Sequence, residues 1–181
     1  MWLLAMIHLM VITLVTQLTS VWLDRPPKPV INKLAVVQVE GFGMRDGREH
    51  AILSIDYSLN FEIFDWNTKQ VYLFVQADYA TSQMRTNQII LFDYVISSGA
   101  TLNGTNVLCE YPLEDFNRGL KENHVTLSLG WDVMPYIGLV GKLSHLQTIG
   151  EYSLKMPGDY VPLKRTRSFI GPQAGKRGDS L

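Results

Sequence analysis

The chain has 181 residues, a formal net charge of −1 and one cysteine, Cys109. That length holds one ordinary domain plus an appendage. The near-neutral charge gives nucleic acid no single-sign field to bind. A lone cysteine excludes an intrachain disulfide and every multi-cysteine zinc or iron–sulfur site, and is expected as a buried, small apolar residue.

Residues Trp2 to Leu23 contain no Asp, Glu, Lys or Arg. As a helix they would span about 33 Å, against a hydrocarbon core of about 30 Å. Trp2 and Trp22 stand near the two ends, where amphipathic aromatics favour the membrane interface. A cleaved signal peptide fits less well. The apolar run exceeds the usual core of about 7 to 15 residues, no Lys or Arg precedes it, and bulky Leu18 spoils a cut after Ser20. An uncleaved anchor is therefore expected over residues 1–23. His8 and Gln17 lie within it and are expected to bond helices. The flanking charges Arg25, Lys28 and Lys33 are all on the C-terminal side. By the positive-inside bias alone they would place the body in the cytosol, and the few residues before the span, as in a truncated start, leave little room for charges there.

Pro26-Pro27-Lys28-Pro29 ends any helix, so residues 24–30 form a Pro-rich linker. The body, 31–161, shows six strand-like segments. Ala35, Val37 and Val39 alternate with more polar neighbours. Ala51, Leu53, Ile55, Tyr57, Leu59 and Phe61 alternate with polar residues from Ser54 onward, and Val125 to Val133 alternates most cleanly. Val71 to Ala77 has strand composition, and so does Ile89 to Ile96. The latter is apolar on both faces except Asp93, which suggests a central strand. Tyr152, Leu154 and Met156 make a weaker last strand. Turn signals stand at Gly41-Phe42-Gly43 with Asp46-Gly47, at Asn103-Gly104 and at Asn117-Arg118-Gly119. No stretch of the body has strong helical periodicity. The expected fold is all-β, an antiparallel β-sandwich-like domain behind one N-terminal transmembrane helix. Met134 to Leu146 is expected as a loop packed on the sandwich. Residues 162–181 carry +4 and several Gly and Pro, leaving −5 on the rest. They are expected as a basic, disordered tail.

Phe64-Asp65-Trp66-Asn67 interleaves large aromatics with turn formers. This predicts a corner with an aromatic plug, and a tryptophan there is also a plausible hot spot for a partner. Phe64, Asp65, Trp66, Asn67 and, further on, Trp131 are the structural or partner-contact candidates. The segment Ile63 to Gln70 (IFDWNTKQ) resembles the signal peptidase complex subunit 3 family. The similarity continues through Val71–Tyr79, Asn87–Val95 and His124–Val133, covering roughly residues 31–160 in order. The resemblance implies a non-catalytic, single-pass subunit of the endoplasmic reticulum membrane with its body luminal. It would support removal of signal peptides by bracing a serine-type catalytic subunit and positioning substrate. Its partners would be that subunit, the other small subunits and membrane lipid, with signal-peptide-bearing nascent chains met indirectly and no nucleic acid. The alternative is an anchored β-sandwich adhesion or binding module unrelated to processing.

The residues themselves carry no catalytic signature. There is no G-x-S-x-G elbow, no H-E-x-x-H among the scattered His50, His124 and His145, and no Gly-rich phosphate cradle. No catalytic residue, cofactor or metal is expected. Asn103-Gly104-Thr105 is an N-glycosylation acceptor triplet on an expected turn. The acceptor implied by the family resemblance falls where His124 stands here, which leaves Asn103 as the glycosylation candidate.

Overall fold

The computed structural model describes residues 1–23, 29–61, 67–97, 100–137, 145–162 and 173–174. Helix α1 spans Trp2–Leu23. Several of its described polar side chains turn back onto their own helix. Thr13 donates to the Leu9 carbonyl and Thr16 to that of Ile12, both at 2.8 Å, and His8 Nδ1 lies 2.7 Å from the Leu4 oxygen. Its large apolar side chains from Leu3 to Leu14 are exposed on every side. Taken over the described residues, no helix is long and apolar enough to cross a membrane; the side chains of residues 17 and 20–23 lie outside that description.

The described remainder is β-structure: β1 (Val30–Arg45), β2 (Arg48–Phe61), β3 (Thr68–Tyr79), β4 (Asn87–Ile96), β5 (Ala100–Leu108), β6 (Leu113–Asp115), β7 (His124–Pro135), β8 (His145–Lys155) and β9 (Gln173–Ala174). All pairings are antiparallel. One sheet runs β1-β2-β5-β9, with β6 also on β2; the other runs β4-β3-β7-β8. The two share one core. Ala51, Leu53, Ile55, Leu59 and Phe61 of β2 face Val71, Leu73 and Val75 of β3 and Val125, Leu127 and Leu129 of β7, all fully buried. Each such leucine or valine is worth roughly 1.5–3 kcal/mol over leaving it in water. The Tyr57 ring stacks on Phe92 of β4, centroids 5.5 Å apart, and ties one sheet to the other.

The period-two pattern of β2 and β7 holds in the structure, because every alternate residue enters this core. Other expectations are corrected. Gly41-Phe42-Gly43 is not a turn but the interior of β1, where Phe42 is buried and exchanges two 2.8 Å backbone bonds with Val161. The reversal lies only at Asp46-Gly47, whose φ angles of 51° and 80° give the two-residue turn that matches strand twist. Ala35, Val37 and Val39 do not share a face: bulges at Val36/Gln38 and Val39/Gly41 switch it, so Val36 and Val39 pack on the core while Val37 is exposed. Asn103-Gly104 is not a turn either but the middle of β5, opposite Ser58 and Tyr57. Ile89–Ile96 lies in β4, an edge strand and not a central one; the centre belongs to β3 and β7. The expected Met134–Leu146 loop is narrowed at both ends by β7 and β8, with 138–144 outside the described residues. Within the tail, Gln173 and Ala174 pair with Asn103 and Leu102; residues 163–172 and 175–181 lie outside the description.

Gly104 is fixed by packing. A Cβ there would run into the Tyr57 ring, which is buried and cannot retreat. Gly104→Ala, which preserves the acceptor triplet, is expected to cost about 1–3 kcal/mol. A urea midpoint equal to that of the unmodified chain would rule this out.

Candidate functional site

Asn103 is an exposed residue of β5, so the acceptor triplet lies on a strand of the outer sheet surface. Its neighbour Thr101 hydrogen-bonds Asn60 on the same face. Further along β5, Asn106 takes a φ of 52°, and its N–H donates to Asp56 Oδ1 at 2.7 Å across a bulge. Asp56 also receives Lys33 at 2.5 Å.

Of the corner, Phe64, Asp65 and Trp66 lie outside the described residues, whereas Asn67 is seen in full. It is 3% exposed and reaches a segment seventy residues away. Its Oδ1 accepts the Ile137 N–H at 3.1 Å, its Nδ2 donates to the Ile137 carbonyl at 3.0 Å, and its own carbonyl accepts the Tyr136 N–H at 2.9 Å. An amide side chain thus imitates one rung of a β-ladder and prolongs the β3–β7 pairing past Pro135. Asn67 thus holds backbone groups of a segment distant in the chain. Trp131 sits on the inward side of β7, 4% exposed within the core cluster. It is a packing residue of the sandwich.

The structure brings together groups that nothing in the sequence joined. Glu49 and Asp115 are buried and paired across β2 and β6. Asp115 accepts the N–H groups of Asn117 at 3.0 Å and Gly119 at 2.7 Å, and the Tyr79 hydroxyl at 3.0 Å. Glu49 accepts the Leu120 N–H at 2.8 Å and the Tyr160 hydroxyl at 3.3 Å. Burial first, and then the Asp115 carboxylate, push the Tyr79 phenol upward. These acids are fully engaged in holding the 116–120 turn. On the surface nearby, His50 lies 3.2 Å and Arg48 3.3 Å from Glu114. Among the described residues no group of three His, Cys, Asp or Glu side chains is placed to hold a metal. Cys109 is buried, as its lone status suggested, and burial pushes its thiol up to about 12. His124 is exposed, its ring on the polar face of β7. The feature missed altogether is the outer face of the β4-β3-β7 sheet. There burial and then the Asp93 carboxylate push the Tyr72 phenol upward, and Asp93 does the same to Tyr111. The signal for it was present, since β4 is apolar on both faces.

Two outcomes are expected. Asn67→Ala strips one donor and one acceptor from a buried rung and should lower stability by about 1–3 kcal/mol, measured by urea unfolding; an unchanged midpoint would count against the clamp. The second concerns pH. Lys33 beside Asp56, with the Asn106 N–H, holds that carboxyl below its usual range, and His50, then Arg48, do the same for Glu114. A carboxyl depressed in the folded state binds its proton more readily when unfolded, so its contribution is present above the ordinary carboxylate range and lost as pH falls through and below it. Unfolding midpoints should therefore drop between about pH 6 and about pH 3, and the Asp56→Asn, Glu114→Gln double variant should show a shallower drop.

Known proteins resemble this chain along most of its length. A family model described as signal peptidase subunit matches residues 1–158, which takes in α1 and strands β1 to β8. Signal peptidase complex subunit 3 of Drosophila melanogaster is 34% identical over 151 residues, covering 80% of this chain and 83% of that protein. The proteins of the same name from Gallus gallus and Homo sapiens are 33% identical over 144 residues and 31% over 150 residues, each covering more than three quarters of both chains. The chain belongs to the signal peptidase subunit family.

Proposed function

We propose that the chain is an accessory, non-catalytic subunit of the endoplasmic reticulum signal peptidase complex. The observation that carries this reading is the extent of the family match, from the first residue through the last long strand. A relationship confined to the sandwich would speak only for the fold; one that includes the helix speaks for the whole arrangement.

In this reading α1 is the membrane anchor. Its residues would span about 33 Å, it is apolar around its circumference, and its threonines and His8 bond their own helix. Polar side chains satisfied within the helix are what a lipid environment demands. The body lies in the lumen, where Asn103, exposed on β5, is open to glycosylation. The sandwich braces the luminal part of a serine-type catalytic subunit, which supplies nucleophile and base, and so helps hold the emerging cleavage site in place. Such bracing has leverage, because small misplacement of reacting groups costs large factors in rate.

The test is to tag the C-terminus, solubilise membranes in mild detergent and analyse what co-purifies. The expected result is a serine-type catalytic subunit and the other small subunits in near-equal amount. Trp131→Asp, which places a charge in the core, should abolish their recovery and lower signal-peptide processing. The unmodified chain should also lose mass on endoglycosidase treatment while Asn103→Gln does not. Full processing with an unfolded body would remove the bracing role.

A further inference from the structure

The strands β3, β4 and β7 turn one side away from the core, and its chemistry is one-sided. Outward carboxylates stand at Asp78, Asp93 and Asp132, while no Lys, Arg or His occurs anywhere in Gln70–Asp78, Gln88–Val95 or Thr126–Met134. The strand register sets Val95, Tyr72 and Asp132 in one row and Asp93, Phe74 and Gly130 in the next. The Tyr72 and Phe74 rings lie 5.7 Å apart, so aromatic surface runs between the two acids. At the β4 edge, Ile90 and Val95 are 38% and 44% exposed, and Tyr111, whose N–H bonds the Leu91 carbonyl, is 43% exposed. One Asp132 oxygen is buried and meets no hydrogen-bond donor among the described residues.

We propose that this face docks an arginine- or lysine-bearing, partly apolar segment of another subunit of the signal peptidase complex, with Asp93 and Asp132 receiving the cation and Tyr72 and Phe74 flanking it. The inference rests on the complex-subunit reading above. A guanidinium supplies donors to a carboxylate and attraction to an aromatic face at once, and apolar neighbours on the partner cover Ile90 and Val95. An anionic lipid surface is repelled by three carboxylates, with no Lys, Arg or His in the strand segments that carry them. A second copy docking by two-fold symmetry would set the same acids against themselves.

The test uses the full chain, tagged, in membranes depleted of the endogenous copy, with subunit recovery measured in mild detergent at low and raised salt. Asp93→Asn with Asp132→Asn is expected to lower recovery at least about tenfold at low salt and to remove most of its salt dependence. Val95→Lys, at an exposed position, should do the same by repulsion, while Val37→Lys, exposed on the other sheet, should behave as the unmodified chain. Urea midpoints of Val95→Lys and Val37→Lys should match, which separates docking from folding. Equal recovery with Val95→Lys and Val37→Lys would overturn the proposal. So would cross-linking that shows the variants dissolving a self-associated species and leaving the other subunits in place. An unmodified chain that recovers no subunit sinks the complex reading itself, and this face with it.

Discussion

Strand β2 is the element on which the body depends. It pairs with β1 on one side and with β5 and β6 on the other, and from Ala51 to Phe61 its inward side chains are buried without exception. Six large or medium apolar groups in strict alternation leave the strand one register, since a slip of one residue would turn all of them to water. The opposite sheet is then fixed by what can pack on that row. Tyr57 shows how tightly. Its ring stacks on Phe92, forbids a side chain at Gly104, and leaves its hydroxyl buried with no hydrogen-bond partner among the described residues. Burial pushes that phenol up to about 12. An unmet hydroxyl is tolerated because the ring's burial and stacking on the other sheet outweigh it.

The ends of the sandwich are closed by polar groups. At one end Glu49 and Asp115 stand in for a ladder, collecting three loop N–H groups and two tyrosine hydroxyls. Tyr160 in turn packs its edge on Phe42 at 5.1 Å and carries the Lys121 ammonium at 3.7 Å. At the other end Asn67 supplies a single rung for Ile137. Both devices solve one problem: strands end, but backbone groups near a core still need partners. Glu49 and Asn67 satisfy groups some seventy residues away, whereas Asp115 holds N–H groups two and four residues on.

That distance decides what the sequence could reveal. Alternation in β2 and β7 was legible because it records burial directly. The Asp46-Gly47 and Asn117-Arg118-Gly119 turns were legible because φ above zero is a local demand, met at Asp46, Gly47 and Arg118. Strand β5 was hidden: Asn and Gly are poor strand formers, and Gly104 is present because Tyr57, nearly fifty residues earlier, needs the space. Gly41 and Gly43 misled in the same way, since a strand was continued through them by a buried Phe42. The clamp made by Asn67 had no local sign of its target. For β4, two apolar faces were taken as a sign of central position, when the strand is at an edge and one of its faces is left to water.

This last error is informative. Edge strands invite unwanted pairing, and proteins cover or blunt them. Here the chain attends to the edges of the first sheet: Val161 bonds to β1 at Phe42, and β9 lies along β5. Among the described residues the β4 edge receives one backbone bond, from the Tyr111 N–H to the Leu91 carbonyl at 3.0 Å. Beside it stand exposed Ile90 and Val95 and, in register with Phe74, Asp93. A solitary soluble domain gains nothing from apolar residues on both sides of an edge strand. A subunit that becomes stable in company does, because association buries the second face and the acids select which partner may bury it. The asymmetry between the two sheets is thus a feature that packing among the described residues does not account for, and the docking proposed above would give that face its cover.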